Sequence, residues 1–220
     1  MSILYNRGKG PHNNQPLLSV GASLEEATKA LIFTHGRGAN ARDILTLVDE
    51  LKIDRSTTAL LAPDAAGNSW YPYSFMAPTA QNEPFLSSAL EVLADAITRL
   101  EENDIPTEKI MLIGFSQGAC LSTEFVARNP KRYGGVAALS GGLIGPPDAE
   151  LKFEGNLEET PVFLGCSDVD FHIPKERVQQ STLVLSKMNA NTTERLYPGM
   201  GHTVNIDEIQ FVQEMVNSLS

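Results

Sequence analysis

Lys109-Ile110-Met111-Leu112-Ile113-Gly114-Phe115-Ser116-Gln117-Gly118-Ala119 is the stretch whose reading decides the fold. Residues 109–113 form a short apolar run that ends at a glycine, the pattern of a buried strand. Residues 117–129, with Leu121, Phe125 and Ala127, carry a helical pattern. Between them Gly114-Phe115-Ser116-Gln117-Gly118 matches G-x-S-x-G, a sharp turn from strand to helix. A glycine at each end lets the backbone make such a turn without Cβ clashes. The turn lifts the Ser116 hydroxyl clear of the sheet at a helix N-terminus, where the macrodipole favours developing negative charge.

The same alternation runs outward along the chain. Ala30-Leu31-Ile32-Phe33-Thr34 reads as a buried strand running into the tight loop His35-Gly36-Arg37-Gly38. Residues 41–51 place Ile44, Val48 and Leu51 at helical spacing, and residues 57–62 form a second strand stopped by Pro63. An aromatic loop over 63–83, with Trp70, Tyr71, Tyr73 and Phe75, leads to Pro84, which suits a first helical position. The stripe Leu86, Leu90, Leu93, Ile97 and Leu100 follows. Further strands are expected over 135–139, 161–165 and 193–197, and a further helix over 174–189. A final helix opens on Asn205 with Glu208 three residues on, a capping box, and carries Ile206, Ile209, Val212 and Val216 as its apolar stripe. Apolar strands alternating with helices predict an α/β fold: a mainly parallel central sheet with helices on both faces. Ligands then bind at the carboxyl ends of the strands. Residues 1–16, polar and rich in Gly, Asn and Pro, read as an N-terminal arm or edge element, and residues 17–220 as a single domain.

Composition narrows the function classes. The 220 residues are 42% hydrophobic and 20% charged, too apolar for a disordered chain. A net charge of −10 argues against nucleic acid and anionic membrane surfaces, both of which draw on Lys and Arg. Two Cys make no disulfide framework, no Cys/His cluster has zinc-like spacing, and a reduced compartment is expected. The N-terminus lacks the apolar core of a signal peptide, and no run reaches the ~18 residues of a spanning helix. A soluble, cytoplasmic protein, monomer or homodimer, is expected. Cys120 and Cys166 read as buried core residues.

Ser116 as a nucleophile needs a base, and the base needs an orienting acid. The motif is the nucleophile elbow of α/β-hydrolases, in which these partners follow in the order Ser, Asp/Glu, His. Only His172 and His202 lie after Ser116. His202, in Pro198-Gly199-Met200-Gly201-His202 after the last strand, is preferred as base, because His172 falls on the acid's own loop. Asp168 and Asp170 both follow the strand ending at Gly165. Asp170 is preferred because it lies just ahead of Ile173-Pro174 and the next helix start. The oxyanion requires two backbone N–H groups, one from Gln117 and one from the loop after an early strand, where Arg37 fits. His35 reads as a partner holding that loop, and His12 as solvated.

These segments together resemble the phospholipase/carboxylesterase family of small α/β-hydrolases, which includes the acyl-protein thioesterases. Thr34-His35-Gly36-Arg37-Gly38, Trp70-Tyr71, Gly114-Phe115-Ser116-Gln117-Gly118-Ala119, Ser167-Asp168-Val169-Asp170-Phe171-His172-Ile173-Pro174 and Met200-Gly201-His202 carry the resemblance, which runs from about Leu31 to the C-terminus. It implies an α/β-hydrolase fold, Ser116, Asp170 and His202 as the triad, and an oxyanion hole from the N–H groups of Arg37 and Gln117. The chain departs from the family at Phe171, where many members have Pro, and at Arg37, where an apolar residue is common. The Arg37 side chain is expected to point to solvent; the alternative is that, at the mouth of the site, it favours an acyl or leaving group bearing negative charge.

The expected chemistry is hydrolysis of a carboxylic ester through an acyl-enzyme, with no metal or organic cofactor. A chain of this length leaves little room for a lid domain, so an open groove for a small or medium acyl chain is expected. Trp70, Tyr71, Phe75, Leu143, Ile144 and Phe171 are its expected walls. A thioesterase acting on S-acylated protein and a lysophospholipase are alternatives within the same chemistry. A non-catalytic binding protein on this fold is a more remote one.

Overall fold

The computed structural model describes residues 1–148 and 150–219. Eight strands form one sheet: β1 (Ser2–Tyr5), β2 (Pro16–Gly21), β3 (Lys29–Thr34), β4 (Thr58–Pro63), β5 (Ile110–Phe115), β6 (Gly135–Leu139), β7 (Pro161–Ser167) and β8 (Asn191–Tyr197). Their order is β1-β2-β4-β3-β5-β6-β7-β8, with β1 and β2 antiparallel and the rest parallel. Five α-helices accompany them: α1 (Ala41–Ile44), α2 (Phe85–Glu101), α3 (Gln117–Arg128), α4 (Lys175–Lys187) and α5 (Ile206–Ser218).

Both faces of the sheet are covered, which is why the strands read as continuous apolar runs. Ala30 and Ile32 of β3, with Ile110 and Leu112 of β5, lie in the core on the face of the sheet that α2, α3 and α4 cover. Leu31 and Phe33, with Met111 and Ile113, face the opposite side, against α1 and α5. The chain passes from β3 to β4 on one side and then crosses to β5 on the other, so strand order reverses between β3 and β5. A crevice at the carboxyl ends of the strands opens at that point, and Arg37 and Ser116 follow the two strands that flank it.

The structure differs from the sequence reading in several places. Strand β2 was not anticipated, and the chain before it supplies β1 at the sheet edge. Over 41–51 only α1 is α-helical; residues Leu45–Glu50 continue as a 3₁₀ segment. Pro84 and Pro174 sit just ahead of α2 and α4 as caps. The capping box of α5 is present, with Asn205 and Glu208 bonding each other's backbone. Its inner face is Glu208, Val212, Met215 and Val216, while Ile206 is exposed. No helix is long and apolar enough to cross a membrane among the described residues.

Candidate active site

The turn after β5 is built by sterics. A Cβ on Gly114 would come within 2.5 Å of the Gly118 carbonyl oxygen, and one on Gly118 would collide with the carbonyls of Thr34 and His35. Between them Ser116 takes φ 54° and ψ −117°, a left-handed conformation that costs a non-glycine residue about 1–3 kcal/mol. Two backbone bonds hold it there: the Ser116 N–H donates to Leu139 O at 2.9 Å, and the Cys120 N–H donates to Ser116 O at 3.0 Å. A strained residue so firmly held presents its side chain at a fixed point above the sheet.

Three loops converge on that point. His202 Nε2 lies 2.9 Å from Ser116 Oγ, and His202 Nδ1 lies 2.7 Å from Asp170 Oδ2. The carboxylate fixes the tautomer: Nδ1–H donates to Asp170, leaving Nε2 to accept from the hydroxyl. Asp170 Oδ1 accepts the N–H groups of His172 (2.8 Å) and Ile173 (3.0 Å). Burial opposes ionisation of Asp170, but the bonds from His202 and these two N–H groups outweigh it and hold the carboxyl below its ordinary range. The Cys166 thiol approaches Asp170 Oδ2 at 3.7 Å; burial and the Asp170 charge push it up to about 12, so it is a protonated donor and not a thiolate. Cys120 is likewise pushed up to about 12 by burial.

Asp168 has a different task. Its Oδ1 accepts the Gly199 N–H at 2.8 Å, and Ser167 Oγ accepts the Gly201 N–H at 3.0 Å. These bonds pin the glycine loop that carries His202. His172 lies beside His202 with ring centroids 4.8 Å apart, and is not hydrogen-bonded to Ser116.

On the other side, the N–H groups of Arg37 and Gln117 have no acceptor among the described residues. His35 bridges two loops: its Nδ1 lies 2.8 Å from Gly36 O, and its Nε2 accepts the Ala65 N–H at 3.1 Å. His12 is not solvated but fully buried. It accepts the Ala66 N–H at Nδ1 and donates to Trp70 O from Nε2.

A cleft of about 610 Å³ opens beside Ser116, lined by Arg37, Tyr71, Phe75, Phe115, His172 and Ile173 among others. Phe75 thus falls where it was expected. Trp70 and Leu143 do not line it: both are fully buried. The Trp70 indole N–H donates to His35 O at 2.8 Å, and its backbone N–H donates to the Gln117 side chain at 2.9 Å, so Trp70 pegs the aromatic loop to the elbow. The Leu143 backbone is held by Ser181 and Arg177. Phe171 is 80% exposed and stacks on His172 outside the cleft. Arg37 is exposed, as expected, but its guanidinium is tied down: it donates to Ser69 Oγ, Pro72 O and Tyr73 O. Sequence reasoning missed these loop ties and the anchoring pair Ser167 and Asp168. The one signal available was that both lie beside the acid.

Residues 16–220 match the model of the phospholipase/carboxylesterase family. The chain is 28% identical to acyl-protein thioesterase 1 of Debaryomyces hansenii, over 93% of this chain and 97% of that one. The crystal structure of a phospholipase/carboxylesterase from Dyadobacter fermentans superposes with a TM-score of 0.88 at 44% identity, covering 92% of this chain and 96% of the other. The carboxylesterase of Bacillus cereus shares the fold, with a TM-score of 0.72 at 18% identity over 94% and 95% of the two chains. With the family's model matching residues 16–220, on an α/β-hydrolase sheet, the chain belongs to the phospholipase/carboxylesterase family.

Proposed function

We propose that this protein hydrolyses carboxylic esters of small or medium acyl chain through an acyl-enzyme on Ser116. The observation that carries the reading is the unbroken relay from Asp170 through His202 to Ser116, at 2.7 and 2.9 Å, on a held, strained elbow. His202 takes the Ser116 proton as Oγ attacks the carbonyl carbon. The oxyanion that forms accepts the N–H groups of Arg37 and Gln117, with the first turn of α3 adding its dipole. His202 then protonates the leaving group and next deprotonates the water that releases the acid. Asp170, held below its ordinary range, stabilises the imidazolium at both stages. The cleft gives the acyl chain an aromatic wall at Tyr71 and Phe75.

A thioester would react by the same steps, and the similarity to an acyl-protein thioesterase over almost both full lengths favours that second reading. The test is a panel of nitrophenyl esters of rising acyl length beside a matching thioester, with native protein and Ser116→Ala compared throughout. A fluorophosphonate should label native protein and not the variant. Labelling that survives Ser116→Ala would sink the assignment, and activity rising steadily to long-chain lipid substrates would sink the acyl-size reading.

A further inference from the structure

We propose that the cleft selects esters bearing an anionic group, and that the Arg37 guanidinium recognises it; this rests on the ester-hydrolase reading above and names its substrate class. The protein carries 27 acidic against 17 basic side chains, so a cationic cleft is not what its overall charge would give. Yet the residues lining the cleft include Arg37 and no Asp or Glu. Arg37 is held by three neutral acceptors: Ser69 Oγ at 2.9 Å, Pro72 O at 2.9 Å and Tyr73 O at 2.7 Å. Two of these, Pro72 and Tyr73, belong to the cleft wall.

Those bonds fix the guanidinium without neutralising it. Arg7, Arg55, Arg99, Arg128 and Arg195 each meet a carboxylate within 4 Å; Arg37, like Arg42, Arg132 and Arg177, meets none among the described residues, and of these four it is the one that lines the cleft. Carboxylates around the site are engaged elsewhere: Asp170 with His202, Asp64 with the Ala41 N–H, and Asp43, in an adjoining hollow of about 260 Å³, with the Asn40 N–H. Three of the five guanidinium N–H groups are used in these bonds, and the Nε–H and the second Nη2 N–H have no acceptor among the described residues, leaving two donors for a ligand. The Tyr71 ring, 5.9 Å from Arg37 Cζ, supplies an apolar flank that keeps the local field from being fully screened. Arg37 is exposed at the cleft, so a carboxylate or phosphate on the substrate can reach this held, uncompensated cation at little ordering cost. His172 adds a second polar group on the same wall.

The test uses two pairs of chromogenic esters. Mono(4-nitrophenyl) glutarate against 4-nitrophenyl valerate places the charge on the acyl side. 3-Carboxy-4-nitrophenyl butyrate against 4-nitrophenyl butyrate places it on the leaving group. The kcat/KM of the anionic ester should exceed that of its neutral partner roughly tenfold for at least one pair, a difference of about 1.4 kcal/mol. That preference should shrink in about 0.5 M salt, where charges are screened within ~4–5 Å. Arg37→Lys and Arg37→Gln both lose the three-bond fork, so comparing them isolates charge from loop packing. Lys should retain most of the preference and Gln should lose it. A preference below about threefold for both pairs in native protein, or equal preferences in the two variants, overturns the proposal. Absence of turnover on all four esters would instead overturn the ester reading itself.

Discussion

Replacing Glu208 by Gln should change how stability depends on pH, in a direction and size that follow from its surroundings. Glu208 is fully buried. Its Oε2 accepts the Asn205 N–H at 2.9 Å, and its Oε1 has no hydrogen-bond partner among the described residues. That oxygen fills the space a Cβ on Gly165 would need, so the carboxyl lies directly against β7. Burial pushes it up from 4.5 to about 7; the bond from Asn205 pulls it down and the charge of Asp207 adds to the rise. Between those two values the folded protein holds a proton that the unfolded chain has released. Stability therefore falls as pH rises through this window: the contribution is complete below 4.5 and gone above about 7. At about 1.4 kcal/mol per pKa unit the full effect is about 3 kcal/mol, of which about 2–3 kcal/mol falls between pH 5 and 8. Glu208→Gln keeps the shape and the capping acceptor but cannot titrate. Urea unfolding of both proteins at pH 5 and pH 8 gives a difference in which all other titrating groups cancel, as does any constant cost of the amide. The variant should gain about 2–3 kcal/mol on the native protein across that interval. A difference between the two proteins that stays constant within about 0.5 kcal/mol would refute the assignment of a buried, proton-holding carboxyl.

Three further outcomes are expected. Asp170→Asn should lower kcat by about 10³–10⁴ with little change in KM, because the amide no longer holds His202 in the tautomer that accepts from Ser116; a loss under about tenfold would contradict that role. Gly118→Ala should reduce the melting temperature, although alanine is favoured over glycine in a helix by about 1 kcal/mol, because the added Cβ meets the Thr34 and His35 carbonyls; a rise would refute the steric account of the elbow. His12→Ala should cost about 2–4 kcal/mol, or roughly 5–12 °C in Tm, through a cavity and two unpaired backbone groups at Ala66 and Trp70; a shift under about 2 °C would show that the N-terminal segment does not secure the aromatic loop.

Much of the candidate site was legible because its decisive parts are local in the chain. The elbow at 114–118, the order of Ser116, Asp170 and His202, and the capping box at Asn205 are short-range patterns whose geometry is set within a few residues. Glu208, by contrast, was read only as a cap. That it is also a buried carboxyl against Gly165 depends on how α5 lies on the sheet, which no local pattern specifies. The choice between Asp168 and Asp170 shows the same boundary. Sequence preferred Asp170 by its place before the helix, while the separate task of Asp168 in holding Gly199 required β7 and β8 to lie side by side.

The sequence by itself determined the layered α/β class, the serine elbow and the residues of the relay. Hydrophobic period and glycine sterics act over a few residues and leave little alternative. Only the tertiary structure decided which residues line the cleft. Trp70 turned inward as a peg because His35, 35 residues away, and Gln117, 47 residues away, offered its indole and backbone N–H groups acceptors at the same point. His12 became buried for a similar reason, accepting an N–H from a loop 54 residues distant. Arg37 became a fixed cation because the loop that Trp70 anchors presents three neutral oxygens to it. Such pairings join buried polar groups far apart in the chain, and composition and local period carry no record of which distant partner will satisfy them.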